Sequence, residues 1–422
     1  MGTSHTHVHT TGEQATAASR ASTITLGAIA VALLLATIVG VVALWPSASQ
    51  VPRAQLLAPG VELLEATVDD VPTDPQSAIV TATGVSDPIA GESIQVQVTA
   101  DVLSGMRAGD RIRVLSFTGA ADPGAADPGA VDEGAADPAA TDAPTAQAPT
   151  GQTYAYFDHE RKLPLGILFL LYLLVVALVA RGRGLRAVLG LSAGVAVVAW
   201  FLVPALLSGA NPTLVALVAA GAMIFPSVYV AHGISIRTTT AVIGTCAGIG
   251  FTLLLALLAS GPAGMTGADD ENAQHLFTTQ PGISLSGLFL TGVIISSLGA
   301  LNDVTITQAS ATWELRAAMP GESRWKVFAA AMRIGRDHIA STVYTLAYAY
   351  IGSALPILLV AATIDRGFLD TITSGEIGAE VFRTLVASIG LVLAIPLTTG
   401  IAAMLASTVE RRPRFDADRA VW

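Results

Sequence analysis

Long apolar runs alternate with short polar connections over most of this 422-residue chain. A helix rises about 1.5 Å per residue, so about 20 consecutive apolar residues cross the hydrocarbon core of a bilayer. Eight runs reach roughly that length, and we predict a transmembrane helix for each of them. They lie near residues 23–44, 163–180, 187–207, 213–232, 241–259, 284–303, 339–362 and 382–406.

Residues 46–162 show a different pattern. Short segments rich in β-branched residues alternate apolar and polar positions between turn signals, which is typical of β-strands. The predicted strands are residues 61–68, 77–85, 92–100, 110–118 and 152–157. They indicate a small β-barrel or sandwich. Residues 119–150 repeat Gly-Ala-Ala-Asp-Pro with almost no large apolar side chain, so we expect a disordered acidic insertion there.

Composition and charge place the chain in a membrane and orient it. Hydrophobic residues make up 52% of the chain and charged residues 13%. Basic residues concentrate in cytoplasmic connections. Residues 181–186 contain three arginines, whereas 208–212 and 260–282 contain no lysine or arginine. We therefore expect both termini in the cytoplasm and the β-rich part on the other side of the membrane. The net charge of −10 arises in the outer segments, so no nucleic-acid partner is predicted.

The predicted fold is an all-α membrane bundle of about eight helices with a small extracytoplasmic β-rich domain. Its parts are a cytoplasmic tail (1–22), an anchoring helix (23–44), the outer domain (46–162), a seven-helix bundle (163–406) and a second cytoplasmic tail (407–422). The chain has no Gly-x-Ser-x-Gly, His-Glu-x-x-His or phosphate-binding loop sequence. We expect no enzyme activity, no cofactor and no metal site.

Two predicted membrane helices carry a stripe of small and polar residues, because positions three or four apart share a helix face. In the sixth run the stripe is Gly292, Ser296, Gly299, Asp303, Thr307, Ser310 and Glu314. In the seventh run it is Asp337, Ser341, Thr345, Tyr348 and Gly352. Consecutive membrane helices are antiparallel, so we expect both stripes to line one crevice that opens to the cytoplasm. An ionisable residue in a membrane marks a functional site by default, which makes Asp303 and Asp337 the central candidates.

Three interpretations remain open at this point. In the first, the chain is a transporter or permease-like bundle, and a small solute or ion binds Asp303 and Asp337 in the crevice. The second is a scaffold or export accessory that recruits a protein partner through its outer domain, and the third and least favoured is an intramembrane aspartyl enzyme. A structural alternative accompanies all three, in which Arg333 pairs with Asp337 and Asp303 only joins helices. A homo-oligomer is compatible with each of them.

Three segments also resemble a known family. They are Gly299-Ala-Leu-Asn-Asp-Val-Thr-Ile-Thr-Gln-Ala-Ser310, Ile334-Gly-Arg-Asp-His338 and Thr345-Leu-Ala-Tyr-Ala-Tyr-Ile-Gly352. These segments resemble the YibE/F-like family of bacterial multi-pass membrane proteins, and the resemblance covers residues 160–405. It implies a fold relation and a bacterial inner-membrane location, and it implies no particular substrate or activity.

Overall fold

The structure, a computed structural model, describes residues 16–18, 20–47, 51, 57, 60–72, 78–117, 153–280, 282–364 and 367–408. The predicted acidic insertion and most of both predicted tails lie outside these residues. The chain divides into two compact units, residues 53–175 and residues 1–52 with 176–422. The first unit contains the predicted strands, and the second contains the helical bundle.

The helices and strands follow one another along the chain with the strands of the smaller unit between the first two long helices. In chain order they are β1 (Thr16–Ala18), α1 (Arg20–Ala43), β2 (Val61–Asp70), β3 (Ile79–Gly84), β4 (Ser93–Gln97), α2 (Ala100–Leu103), β5 (Arg111–Phe117), β6 (Thr153–His159), α3 (Lys162–Val197), a π-helical turn (Val198–Leu202), α4 (Val203–Leu207), α5 (Pro212–His232), α6 (Ile236–Ser260), α7 (Glu271–Thr279), α8 (Leu285–Ala318), α9 (Arg324–Ser353), α10 (Leu355–Ala362), α11 (Phe368–Ile372), α12 (Gly375–Leu405) and β7 (Ala406–Thr408).

The smaller unit is a closed five-stranded barrel. Its strand order is β2-β3-β4-β6-β5, and antiparallel pairing of β2 with β5 closes it. The parallel pair is β4 with β6, and the short helix α2 lies between β4 and β5. This five-stranded Greek-key arrangement is that of an OB-fold. The strands predicted from alternation are confirmed, because the inward positions, such as Val80, Val96 and Val114, are fully buried.

Helices long and apolar enough to cross a bilayer number six among the described residues, or seven if α9 and α10, bent by 64°, count as one span. One of the six is the 46-residue segment Lys162–Leu207. It folds back at Arg181, where φ is 53°. A Cβ at Gly184 would lie 2.6 Å from Val176 Cγ1, although residues eight apart in a continuous helix are about 12 Å apart. The segment is therefore two helices joined by a tight turn.

Helices α6, α8 and α12 pack closely at the centre of the bundle. A Cβ at Gly244 of α6 would overlap Thr398 Oγ1 of α12, and one at Gly248 would lie 2.7 Å from Leu301 Cδ2 of α8. Small residues allow such approach between membrane helices. Because a larger side chain at either glycine would collide with a neighbouring helix, these glycines set the spacing of the core.

Buried hydrogen bonds join α8 to its neighbours. Thr305 Oγ1 lies 2.6 Å from Thr245 Oγ1 of α6. Gln308 Nε2 donates to the Ala331 carbonyl oxygen of α9 at 3.0 Å and to Thr399 Oγ1 of α12 at 2.8 Å. These uncharged groups hold the helices together on the buried side of α8.

The predicted anchoring helix is part of the bundle. α1 packs against α5, where a Cβ at Gly221 would lie 2.6 Å from Thr37 Oγ1. β1 and β7 pair in antiparallel fashion, with Thr16 opposite Thr408. The segment before α1 and the segment after α12 therefore meet at one end of the bundle.

Candidate functional site

α8 carries its predicted polar stripe on the side that the bundle core leaves uncovered. Gly299, Asp303 and Thr307 are exposed, while Ser296 and Ser310 are half-buried. The opposite side, which includes Ser297, Thr305 and Gln308, is buried in the core. The stripe is thus an open, polar face on a helix that is otherwise enclosed.

A cavity of about 470 Å³ opens at one end of this stripe. Gly292 and Ser296 of the stripe form part of its wall. The other lining residues are Leu202, Leu206, Leu288, Thr291, Ile295, Tyr350, Ser353, Glu380 and Arg383. The wall is mainly apolar, with several hydroxyl groups and one pair of opposite charges.

The charged pair in the cavity wall is Glu380 with Arg383, one turn apart near the start of α12. Both side chains are largely buried. The guanidinium of Arg383 lies 5.1 Å from the centre of the Phe289 ring, and its Nε is buried without a hydrogen-bond partner. A Cβ at Gly292 would lie 3.8 Å from that nitrogen, so the small residue gives the arginine room against α8.

Sequence reasoning missed this pair. Both residues lie at the start of the predicted eighth apolar run. Charged residues at that position are expected at the outer surface of the membrane, so they were not considered as part of a site. The available signal was an arginine three residues after a glutamate at the start of an apolar run, a spacing that places the two on one helix face. α12 begins at Gly375, which puts both charges inside the helix.

Asp303 lies farther along the stripe, near residues of two other helices. Its Oδ2 is 3.9 Å from His338 Nε2 of α9, and His232 at the end of α5 lies within electrostatic reach. The Asp303 side chain is 72% exposed, whereas that of His338 is 28% exposed. His338 Nε2 and Asn302 Oδ1 are buried without a hydrogen-bond partner. The sequence predicts no role for either histidine, because their approach depends on helix packing.

The predicted stripe of α9 is exposed but does not line the cavity. Asp337, Ser341, Thr345 and Tyr348 are all exposed. The Ser341 and Thr345 hydroxyls donate to carbonyl oxygens of their own helix. α9 contributes Tyr350 and Ser353 to the cavity instead, and at about 100° per residue Tyr350 lies on the side opposite Ser341. The cavity therefore brings together the stripe of α8 with another face of α9.

The structural pairing predicted for Arg333 and Asp337 is not among the ion pairs of the described residues. The ion pairs between described residues that involve α9 are Lys326 with Glu322 and His338 with Asp303. Arg333 and Asp337 are both exposed and form no ion pair with each other. The i, i+4 spacing allows such a pair but does not hold two exposed side chains together.

Metal ligation has no support in the part of the chain that the structure describes. No group of three or more histidine, cysteine, aspartate or glutamate side chains there could hold an ion. Cys246, the single cysteine, is a half-buried side chain on α6.

Comparison with known proteins bears on the helical part of the chain. No curated protein and no solved structure matches it. A family model described as YibE/F-like protein matches residues 168–408. The match covers more than half of the chain and includes α8, α9 and α12, which carry the stripe, the cavity and the ion pair. The chain therefore belongs to the YibE/F-like protein family.

Proposed function

We propose that this protein is a transporter that moves a small solute or ion along the open face of α8. The observation that carries the proposal is the cavity of about 470 Å³ that leads into the exposed stripe. From Gly292 at the cavity to Asp303, α8 rises about 16 Å, roughly half the thickness of the hydrocarbon core. A polar route of this length would carry a solute across about half of the bilayer interior.

Exposure of Asp303 supports conduction over helix packing. The buried hydrogen bonds that join α8 to α6, α9 and α12 are made by uncharged groups such as Gln308, while the Asp303 side chain is 72% exposed. A carboxylate that faced lipid would cost several kcal/mol. Water or a polar solute on the open side of α8 removes that cost.

The proposed topology has eight crossings. The fold-back at Arg181 makes two crossings of the segment Lys162–Leu207, and the bent pair α9–α10 makes one. An even number places both chain ends on the same side, as the pairing of β1 with β7 requires. The arginines at 181–186 favour the cytoplasmic side for that turn and for the termini. The barrel then lies outside the cell membrane.

Predicted path residues on α8 are Ser296, Asp303, Thr307 and Ser310, and on α9 they are Asp337, Ser341, Thr345 and Tyr348. We place the α8 set in the path, since these positions follow the open face. The α9 set remains a prediction. Asp337→Asn separates the two cases, because the variant should lose flux only if α9 also turns its stripe toward the solute.

The direct test uses purified protein in liposomes on a solid-supported membrane. Concentration jumps of Na⁺, K⁺, H⁺ and ammonium should give currents that Asp303→Asn abolishes. Asp370→Asn, which changes an exposed aspartate of α11 away from the cavity, is the matched control and should keep the currents. Full currents in Asp303→Asn would contradict the proposal. Loss of the folded protein in that variant would show that Asp303 is structural.

The scaffold alternative makes a different prediction. A chain without residues 46–160 should still conduct if the bundle is a self-sufficient transporter. An accessory that recruits a protein partner through the barrel should lose its activity in the cell, even when the bundle remains folded.

A further inference from the structure

We propose that Glu380 and Arg383 form a gate that selects cations, and that the solute is a small positively charged molecule which displaces Arg383 from Glu380. The inference rests on the proposed function, because it names the charge of the solute that the path carries. The pair lies in the wall of the cavity of about 470 Å³, the main cavity, which Ser296 of the stripe also lines.

The pair separates three spaces. Arg383 lines both the cavity of about 470 Å³ and a smaller one of about 60 Å³. Glu380 lines both the main cavity and another of about 150 Å³. The ion pair is therefore part of the wall between the main cavity and its two neighbours. Leu288 and Ser353 also line two of the three cavities, so parting the ion pair widens a shared wall that these two residues help to form.

Arg383 has other carboxylates within the same region. The cavity of about 60 Å³ is also lined by Asp269, Asp270 and Glu376. Breaking a buried pair is costly mainly when a charge is left without a partner. A guanidinium that moves from Glu380 toward these carboxylates exchanges one set of charge-assisted hydrogen bonds for another. The arginine thus has two arrangements, one that closes the wall and one that opens it.

The sign of charge favours a cation. The linings of the three cavities together contain four carboxylates, Asp269, Asp270, Glu376 and Glu380, and one guanidinium, so their formal charge is 1 − 4 = −3. An anion would have to compete for Arg383 with the Glu380 carboxylate, which is fixed in the same wall and already accepts from Nη1. A cation, by contrast, gains the Glu380 carboxylate.

The wall of the main cavity narrows the class of solute. Leu202, Leu206, Leu288 and Ile295 provide apolar surface, and hydroxyl groups from α8 and α9 provide hydrogen-bond acceptors. Apolar walls suit an alkyl group, and hydroxyl oxygens accept from N–H donors. The geometry therefore fits a small organic amine or ammonium ion. Asp303 repeats the negative charge farther along the stripe.

The test needs no knowledge of the natural solute. Ser296→Cys is prepared in a Cys246→Ala background, so that the cavity holds the one thiol, and the protein is placed in lipid nanodiscs. The probes are a cationic and an anionic methanethiosulfonate of similar size. The rate at which each probe labels the cysteine is divided by its rate with a free thiol in solution, which removes the difference in intrinsic reactivity. We expect the cationic probe to react at least about 10-fold faster, as for a charged cleft that concentrates counter-ions.

Variants of Glu380 and Arg383 test whether the ion pair causes the difference between the two labelling rates. Glu380→Gln should reduce the rate ratio toward one, while Arg383→Gln should speed the cationic probe because the wall opens and a positive charge is lost. Arg383→Lys keeps the positive charge and should retain the preference for the cationic probe. It replaces Arg383→Gln in the experiment if that variant does not fold. Asp370→Asn, away from the cavity, should leave the ratio unchanged.

The outcomes separate the gate from the transporter. Equal normalised rates, or a faster anionic probe, would overturn cation selection and leave the path intact. A ratio that Glu380→Gln does not change would overturn the role of the pair. A Ser296→Cys thiol that neither probe modifies, although it reacts fully after denaturation, would contradict the proposed path itself.

Discussion

Replacement of Gly299 separates an open path from a packed interface. Nothing lies within 4 Å of the position that a Cβ would take at Gly299, in the middle of the stripe. Alanine for glycine in an exposed helix interior gains about 0.8–1 kcal/mol. For domains of 150–250 residues, 1 kcal/mol corresponds to about 2–4 °C in Tm. Gly299→Ala should therefore raise Tm slightly.

Gly244→Ala is the opposite case within the same bundle. Its Cβ would overlap Thr398 Oγ1, so α6 and α12 must move apart. Overpacking costs typically about 1–3 kcal/mol. The same conversion predicts a fall in Tm of about 2–12 °C. The Tm of Gly299→Ala and of Gly244→Ala is measured by thermal melting with a thiol-reactive dye. The dye labels the single, half-buried Cys246 when the protein unfolds.

Function is tested with a larger side chain. Gly299→Trp places an indole between Ser296 and Asp303, so it should abolish the liposome currents while the protein stays folded. Gly250→Trp is the matched control, because Gly250 is exposed on α6 and also has nothing within 4 Å. It should keep the currents. Parental currents in Gly299→Trp, or a Tm in Gly299→Ala as low as in Gly244→Ala, would refute the reasoning.

Three further changes test the packing and the barrel. Gln308→Leu removes two buried hydrogen bonds and should cost about 1–3 kcal/mol, seen as a lower Tm in the dye melt. Gly390→Ala should also lower Tm, because its Cβ would overlap Thr252 Oγ1, whereas Gly250→Ala should not. The backbone N–H and then the ammonium of Lys162 hold the pKa of Glu160 below its usual range. The stabilisation is complete above the ordinary pKa of about 4.3 and is lost as pH falls through the lower folded pKa, so Glu160→Gln should flatten the acid side of a stability profile measured from pH 2 to 7.

The elements were predictable where one local pattern decides them. Alternation located the barrel strands, since inward residues such as Val80 and Val114 must be apolar. Apolar length located the membrane helices. It did not find that α8 continues to Ala318, because beyond Asp303 that helix is stabilised by buried polar side chains such as Gln308 and Thr312. A hydropathy pattern does not predict a helical segment whose buried side chains are polar and hydrogen-bonded.

The site was predictable only in part, because periodicity groups residues on a face without saying where the face points. The stripe of α8 was found, and it is open. The stripe of α9 was also found, yet the cavity is lined by Tyr350 from the opposite side of that helix. The approach of His338 to Asp303 and the place of Arg383 in the cavity wall depend on contacts between helices that are far apart in sequence.

Water access along the stripe tests the central claim most directly. Single cysteines at Gly299 and Thr307, in a Cys246→Ala background in nanodiscs, should react with a charged methanethiosulfonate. Ile389 is an exposed apolar residue of α12, about 120° around that helix from Arg383, so Ile389→Cys should face lipid and stay unmodified. The account predicts reaction at both stripe positions and protection at Ile389. Protection at all three positions would show that lipid or packed protein, and not a polar path, covers the open face of α8.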